Sequence, residues 1–127
     1  MLTLRLLDSI TELQPGADRG CLAVSGSHGG RSAAHYALAV RPLLSVFNDA
    51  GGGKDGAGIA ALAILQAQDL AACAVSHDSA RIGEARSTLE HGRVSHCNAC
   101  ATALGARVGE SCASLVRRLL QAPQRRG

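Results

Sequence analysis

Aromatic residues are almost missing from the 127-residue chain, which has one Tyr, one Phe and no Trp. Platforms on which single-stranded bases stack are therefore lacking. The excess of basic over acidic residues, 13 against 10 for a net charge of +3, is too small to mark a nucleic-acid surface. Long apolar runs are missing as well. The longest, Ile59 to Leu65, gives way to Gln66, Gln68 and Asp69, well short of the roughly 20 residues that span a bilayer. The first residues lack the charged start, apolar stretch and small-residue cleavage site of a secretory signal. Five cysteines, an odd number, do not make a closed disulfide framework. Together these absences predict a cytoplasmic protein that engages neither nucleic acid nor membrane.

What is present is an alternation of short β-rich runs with Ala-rich segments of helical length. Strands are expected at Cys21–Ser25, Leu43–Asn48, Leu70–Ser76 and Arg93–His96. Helices are expected at Ser32–Val40, Gly58–Gln68, Ile82–Glu90, Ala99–Leu104 and Glu110–Gln121. Ahead of these, Leu2, Leu4 and Leu6 alternate like a strand, and Ser9 with Glu12 has capping-box spacing. Strand starts about 20 to 27 residues apart leave room for a crossover helix and too much chain for a hairpin. Successive β-α-β units imply a mostly parallel sheet of four to five strands. The runs Cys21–Val24 and Leu70–Val75 are apolar at consecutive positions, as strands covered on both faces require. The expected fold is thus an α/β/α three-layer sandwich, Rossmann-like or flavodoxin-like, in one domain over residues 1–121 with a disordered tail at 122–127. Gly58–Leu65 is apolar almost all round, more than one sheet face needs to bury, which predicts a homo-oligomer.

The strands run out into polar clusters. Three begin with Val-Ser and reach a histidine: Val24-Ser25-Gly26-Ser27-His28, Val75-Ser76-His77 and Val94-Ser95-His96. The fourth reads Asn48-Asp49-Ala50 and continues through Gly51, Gly52, Gly53, Lys54 and Asp55. Parallel strands end on one edge of a sheet, where open α/β folds hold ligands. Turns and helix caps use the same small polar residues, and Ser32, Ser79 and Asn98 are expected to be caps. They have no need of three histidines or a lysine in a glycine loop. At the end of a buried strand an unpartnered Asp49 carboxylate would have its pKa pushed upward, and His28 or His77 beside it would form an acid/base pair.

Several motifs are incomplete. Ser27-His28-Gly29-Gly30 is similar, over its His-Gly-Gly, to the oxyanion loops of lipase-like α/β hydrolases. The Gly-x-Ser-x-Gly nucleophile elbow is missing, so only the capacity of backbone N–H groups to face negative charge is carried over. Asn48 stands where a P-loop has its first glycine, and Asp55 where it has a Ser or Thr, which removes the ATP or GTP reading. The loop before Gly58 could still offer a helix N-terminus and Lys54 to a carboxylate or single phosphate. Cys97-Asn98-Ala99-Cys100 has the spacing of a thiol pair, although no second Cys-x-x-Cys completes a zinc site. Buried cysteines packing a helix are the alternative.

These residues lead to an expected enzyme, hydrolase or lyase in type, that binds a small anionic metabolite, carboxylate or phosphate. His28, Asp49, His77 and Ser27 would be catalytic. Ser25, Gly29, Gly30, Asn48, Gly52, Gly53, Lys54, Arg81 and His96 would hold the ligand, with no metal assigned and the cofactor left open. The alternatives are a non-catalytic ligand-binding or regulatory subunit, and a metal or thiol redox protein built on His96, Cys97 and Cys100.

Overall fold

The computed structural model describes residues 2–122. Five strands form one sheet: β1 (Leu4–Leu7), β2 (Leu22–His28), β3 (Leu44–Asn48), β4 (Ala71–Val75) and β5 (Val94–Cys97). They lie side by side in chain order. β1 to β4 are mutually parallel, and β5 pairs antiparallel with β4. The helices are α1 (Arg31–Val40), α2 (Ala60–Gln66), α3 (Ala85–His91), α4 (Ala99–Ala103) and α5 (Cys112–Gln121), with short 3-10 segments at Ile10–Glu12 and Lys54–Ile59. The mostly parallel α/β sandwich expected from the sequence is what the chain forms. Its order is sequential, whereas the doubly wound Rossmann and flavodoxin sheets reverse direction at a switch point. No helix among the described residues is long and apolar enough to cross a membrane.

Sequential order decides which side each connection takes. Right-handed crossovers between neighbouring parallel strands all pass over the same face, and the first 3-10 segment, α1 and α2 do pack together on one side. The C-terminal helices α4 and α5 cover the other side. Side chains alternate between the layers with the strand period of two. Leu22, Val24, Leu44, Val46, Cys73 and Val75 face α5, while Cys21, Ala23, Phe47 and Ala72 face α1 and α2. Burial on both sides is why the central strands read as unbroken apolar runs.

Local chemistry sets the ends of several elements. The capping box read at Ser9 and Glu12 is formed, with each side chain accepting from the other's backbone region. Along α5, Cys112, Leu115, Val116 and Leu119 recur at helical spacing on the buried face, and Ser111 caps the helix by accepting from the Ser114 amide. β2 runs three residues beyond its expected end, to His28. The Gly83 amide and the Thr88 hydroxyl donate to the carbonyls of Gly26 and Ser25, so the approaching α3 segment keeps that stretch extended. For the same reason α3 starts at Ala85, since Gly83 is held left-handed against β2. Ser32 lies one residue inside α1, whose cap is Gly30. Ser79 sits in a turn, donating to the Ser76 carbonyl. On α2, Ala61, Leu62 and Leu65 are buried, whereas Ala63 is exposed and Ile59 and Ile64 are half-buried.

Asn98, the cap of α4, has the largest structural role of any side-chain amide here. Its Nδ2 donates to the carbonyls of Leu62 (3.1 Å) and Leu70 (2.9 Å). Its Oδ1 accepts from the amides of Ala72 (3.0 Å) and Ala101 (2.9 Å). One buried side chain thereby joins α2, β4 and α4. Asn98→Ala removes four buried hydrogen bonds at once, and a loss of about 3 kcal/mol is expected at ~1 kcal/mol per bond with partial relaxation. Urea unfolding checks this: a midpoint unchanged from wild type would show that the four bonds contribute nothing net.

Candidate functional site

The carboxylate of Asp49, one residue past β3, lies at the centre of the polar edge. The residue is 6 % exposed. Its Oδ1 accepts from the backbone amides of Gly51 (2.8 Å) and His77 (3.0 Å), and its Oδ2 accepts from the Ser95 hydroxyl (2.7 Å). The Ser95 oxygen is in turn 2.9 Å from Nδ1 of His96. The imidazole of His77 stands on the other side, its Nδ1 3.4 Å from Asp49 Oδ1 and its Nε2 3.1 Å from Oδ1 of Asp78. Both imidazoles remain about half exposed, at 51 % for His77 and 42 % for His96.

Three strands contribute to this cluster. β3 delivers Asp49, β4 delivers His77, and β5 delivers Ser95 and His96. Because β5 is antiparallel, Val94 pairs with Val75 at the far end of β4. Ser95 and His96 therefore reach the shared edge by beginning there, not by ending there. The sequence expectation of a common rim holds for Asp49, His77 and His96, although the step that placed His96 assumed a parallel strand.

Burial pushes the Asp49 carboxyl up, but the Ser95 hydroxyl, the amides of Gly51 and His77 and the charge of the His77 imidazole outweigh it. The net result lies below the ordinary carboxylate range. This corrects the expectation of a raised pKa, which supposed a carboxylate without partners. It also changes the role of Asp49, whose bound, ionised group is a fixed anchor for its neighbours and a poor proton carrier.

The loop that follows is folded in on itself. Ala50, Gly51, Gly52, Gly53, Asp55 and Gly56 all have left-handed backbone angles, a run that only a glycine-rich segment adopts at small cost. Its amides turn inward: Gly52 donates to Asp49, Gly56 to Gly53 and Gly58 to Gly52. A Cβ on Gly58 would collide with the Asp49 carbonyl oxygen. The amide of Ala61, at the start of α2, donates to Gly29. These bonds brace Asp49 from the loop side. Lys54 is exposed in it, without a hydrogen bond or ion pair among the described residues.

Other sequence-selected residues are spent on the fold or lie elsewhere. Ser25 is fully buried and donates to the Val46 carbonyl, and Asn48 is fully buried between the Ala80 carbonyl and the Ala50 amide. The amides of Gly29 and Gly30 donate to Asn48 and His28, so they are not free to line an oxyanion hole. Ser27 accepts from the Ile10 amide and, with His28, Gly30 and Arg31, lines a separate cleft of about 400 Å³ beside the start of α1. Among the described residues His28 makes no hydrogen bond or ion pair with Asp49, whose polar partners are Gly51, His77, Ser95 and His96. A second cleft, of about 520 Å³, adjoins His77 and is lined by Arg81 and His91 among others.

Among the described residues no group of three or more His, Cys, Asp or Glu is placed to hold a metal ion. Cys97 lies in β5, ahead of the helix, and burial followed by the Glu110 carboxylate pushes its thiol up. A helix-stabilised thiolate needs the opposite shift.

Sequence reasoning missed two residues. Ser95 was present in the recurring Val-Ser-His pattern, but nothing marked it as the bridge. His91, the last residue of α3, lines the cleft at His77. No protein-family model, curated protein or solved structure matches the chain.

A carboxylate whose pKa is lower folded than unfolded stabilises the protein above its unfolded value, and that contribution is lost as the pH falls through the folded value. Asp49→Asn should accordingly flatten the acid limb of stability. Measured by urea midpoints between about pH 5 and pH 2, wild type should lose more stability than the variant. Parallel curves would show that Asp49 is not held ionised by its partners.

Proposed function

We propose that the chain is an acid/base enzyme for a small anionic metabolite, with His96 and His77 as its proton-transfer groups and Asp49 as their common support. One observation carries this reading: the line from Asp49 Oδ2 through the Ser95 hydroxyl, 2.7 Å, to Nδ1 of His96, 2.9 Å. A hydroxyl has a single proton, and the ionised carboxylate is its strongest acceptor. Nδ1 of a neutral His96 must then carry its own hydrogen and donate to Ser95. Nε2 is left with its lone pair and without a hydrogen bond among the described residues, the form a general base requires.

The order of the three groups also favours one reaction type. In an acylating triad the histidine lies between serine and carboxylate and receives the serine proton. Here the serine lies between, hydrogen-bonded to the carboxylate on one side, so it orients the imidazole and is not activated to attack. Proton removal by one imidazole and protonation of a leaving group by the other, chemistry of the lyase type, suits the pair better than acyl transfer. A non-catalytic binding role is favoured by the cleft at His28, where no carboxylate supports the imidazole.

Imidazole ¹⁵N shifts test the proposal without a substrate. Neutral His96 should be the Nδ1–H tautomer in the wild type and revert toward Nε2–H in Ser95→Ala. Finding Nε2–H in the wild type would remove the base. On a panel of small hydroxy and amino acids, His96→Gln should lower kcat by roughly 100-fold or more, and Ser95→Ala by about tenfold.

A further inference from the structure

We infer that the cleft between the β4–α3 segment and α3 is the seat of a carboxylate, and that Asp78 occupies that carboxylate's place when no ligand is bound. This rests on the acid/base reading of His77 given above and adds the substrate class to it. The side chain of Asp78 is 84 % exposed, yet its Oδ1 lies 3.1 Å from His77 Nε2. A carboxylate therefore already fits against the outward nitrogen of a proposed catalytic imidazole. Nothing in its surroundings forces so exposed a group to stay there, so a ligand's carboxylate can take its position.

The remaining lining favours an anion. Arg81 reaches the cleft with its side chain 82 % exposed. Its contact with Glu84 is long, at 3.9 Å between exposed groups, and binds little of its charge. Ser87 and His91 stand four residues apart on α3, which puts them on one helix face, and both line the cleft. The Ser87 oxygen accepts from the Arg81 amide at 3.0 Å, leaving its own proton to donate. Against these donors the lining holds one acidic residue, Asp78 itself. Ile82, 53 % exposed, supplies an apolar wall. The ligand class is a small organic acid whose carboxylate meets His77, Arg81 and His91 and whose short aliphatic part lies on Ile82. The cleft, about 520 Å³, is within the range of small-molecule sites.

Titration of the full chain with propionate, followed through the imidazole resonances, tests this. Saturable shifts are expected at His77 and His91, with inorganic phosphate binding more weakly because it has no aliphatic part. Asp78→Asn should tighten propionate roughly fivefold by removing the competing charge. Arg81→Gln and His91→Gln should each weaken it to a similar degree. All three positions are exposed, so folding is not at stake. Lys54→Gln, outside the cleft, should leave propionate binding unchanged, and the tautomer of His96 is read without propionate, which separates the two results. Shifts at His28 without shifts at His77 would assign the anion to the other cleft and overturn the inference. So would a lack of saturation, or weaker binding in Asp78→Asn.

Discussion

The polar edge of this protein depends on an ionised carboxylate held where water barely reaches it. Burying such a charge is costly unless its oxygens are satisfied, and Asp49 meets the requirement with two backbone amides and one hydroxyl. These donors come from the loop after β3, the end of β4 and the start of β5. Satisfying the charge therefore fixes three segments relative to one another, and the imidazoles of His77 and His96 are positioned by the same set of bonds. Structure and proposed chemistry share a single cause.

The sheet's connectivity makes that convergence possible. Sequential order places β3, β4 and β5 next to one another, so their ends on the common edge are separated by about 5 Å per strand. Reversal of β5 brings the first residues of that strand to the edge, and the chain then returns across the sheet to Asn98, where α4 is capped and tied to α2 and β4. A parallel β5 would have brought its last residues to that edge, where the antiparallel strand brings its first. The four-residue strand thus has two anchored ends, one functional in type and one structural.

Much of this was legible in the sequence. Consecutive apolar positions in Cys21–Val24 and Leu70–Val75 identified strands buried on both faces, because burial on two sides removes the polar alternation that would otherwise appear. Recurrence of histidine after Val-Ser marked the edge. The sequence could not show hydrogen-bond partners, which depend on non-local distances. Ser25 and Ser95 occupy the same local pattern, yet one is fully buried against a backbone carbonyl and the other bridges Asp49 and His96. The inward bonds of the glycine loop were hidden for a related reason. Glycines that permit left-handed turns look alike whether the turn opens toward a ligand or closes on its own carbonyls.

A single carboxylate supports two imidazoles, and the two are held differently. His96 is bound to Asp49 through the Ser95 hydroxyl, whereas His77 stands against the carboxylate directly and also meets Asp78. Asp78 adds an exposed negative charge on the His77 side only. The two rings therefore present different surroundings to whatever meets this edge, and the roles proposed for them rest on that difference in support.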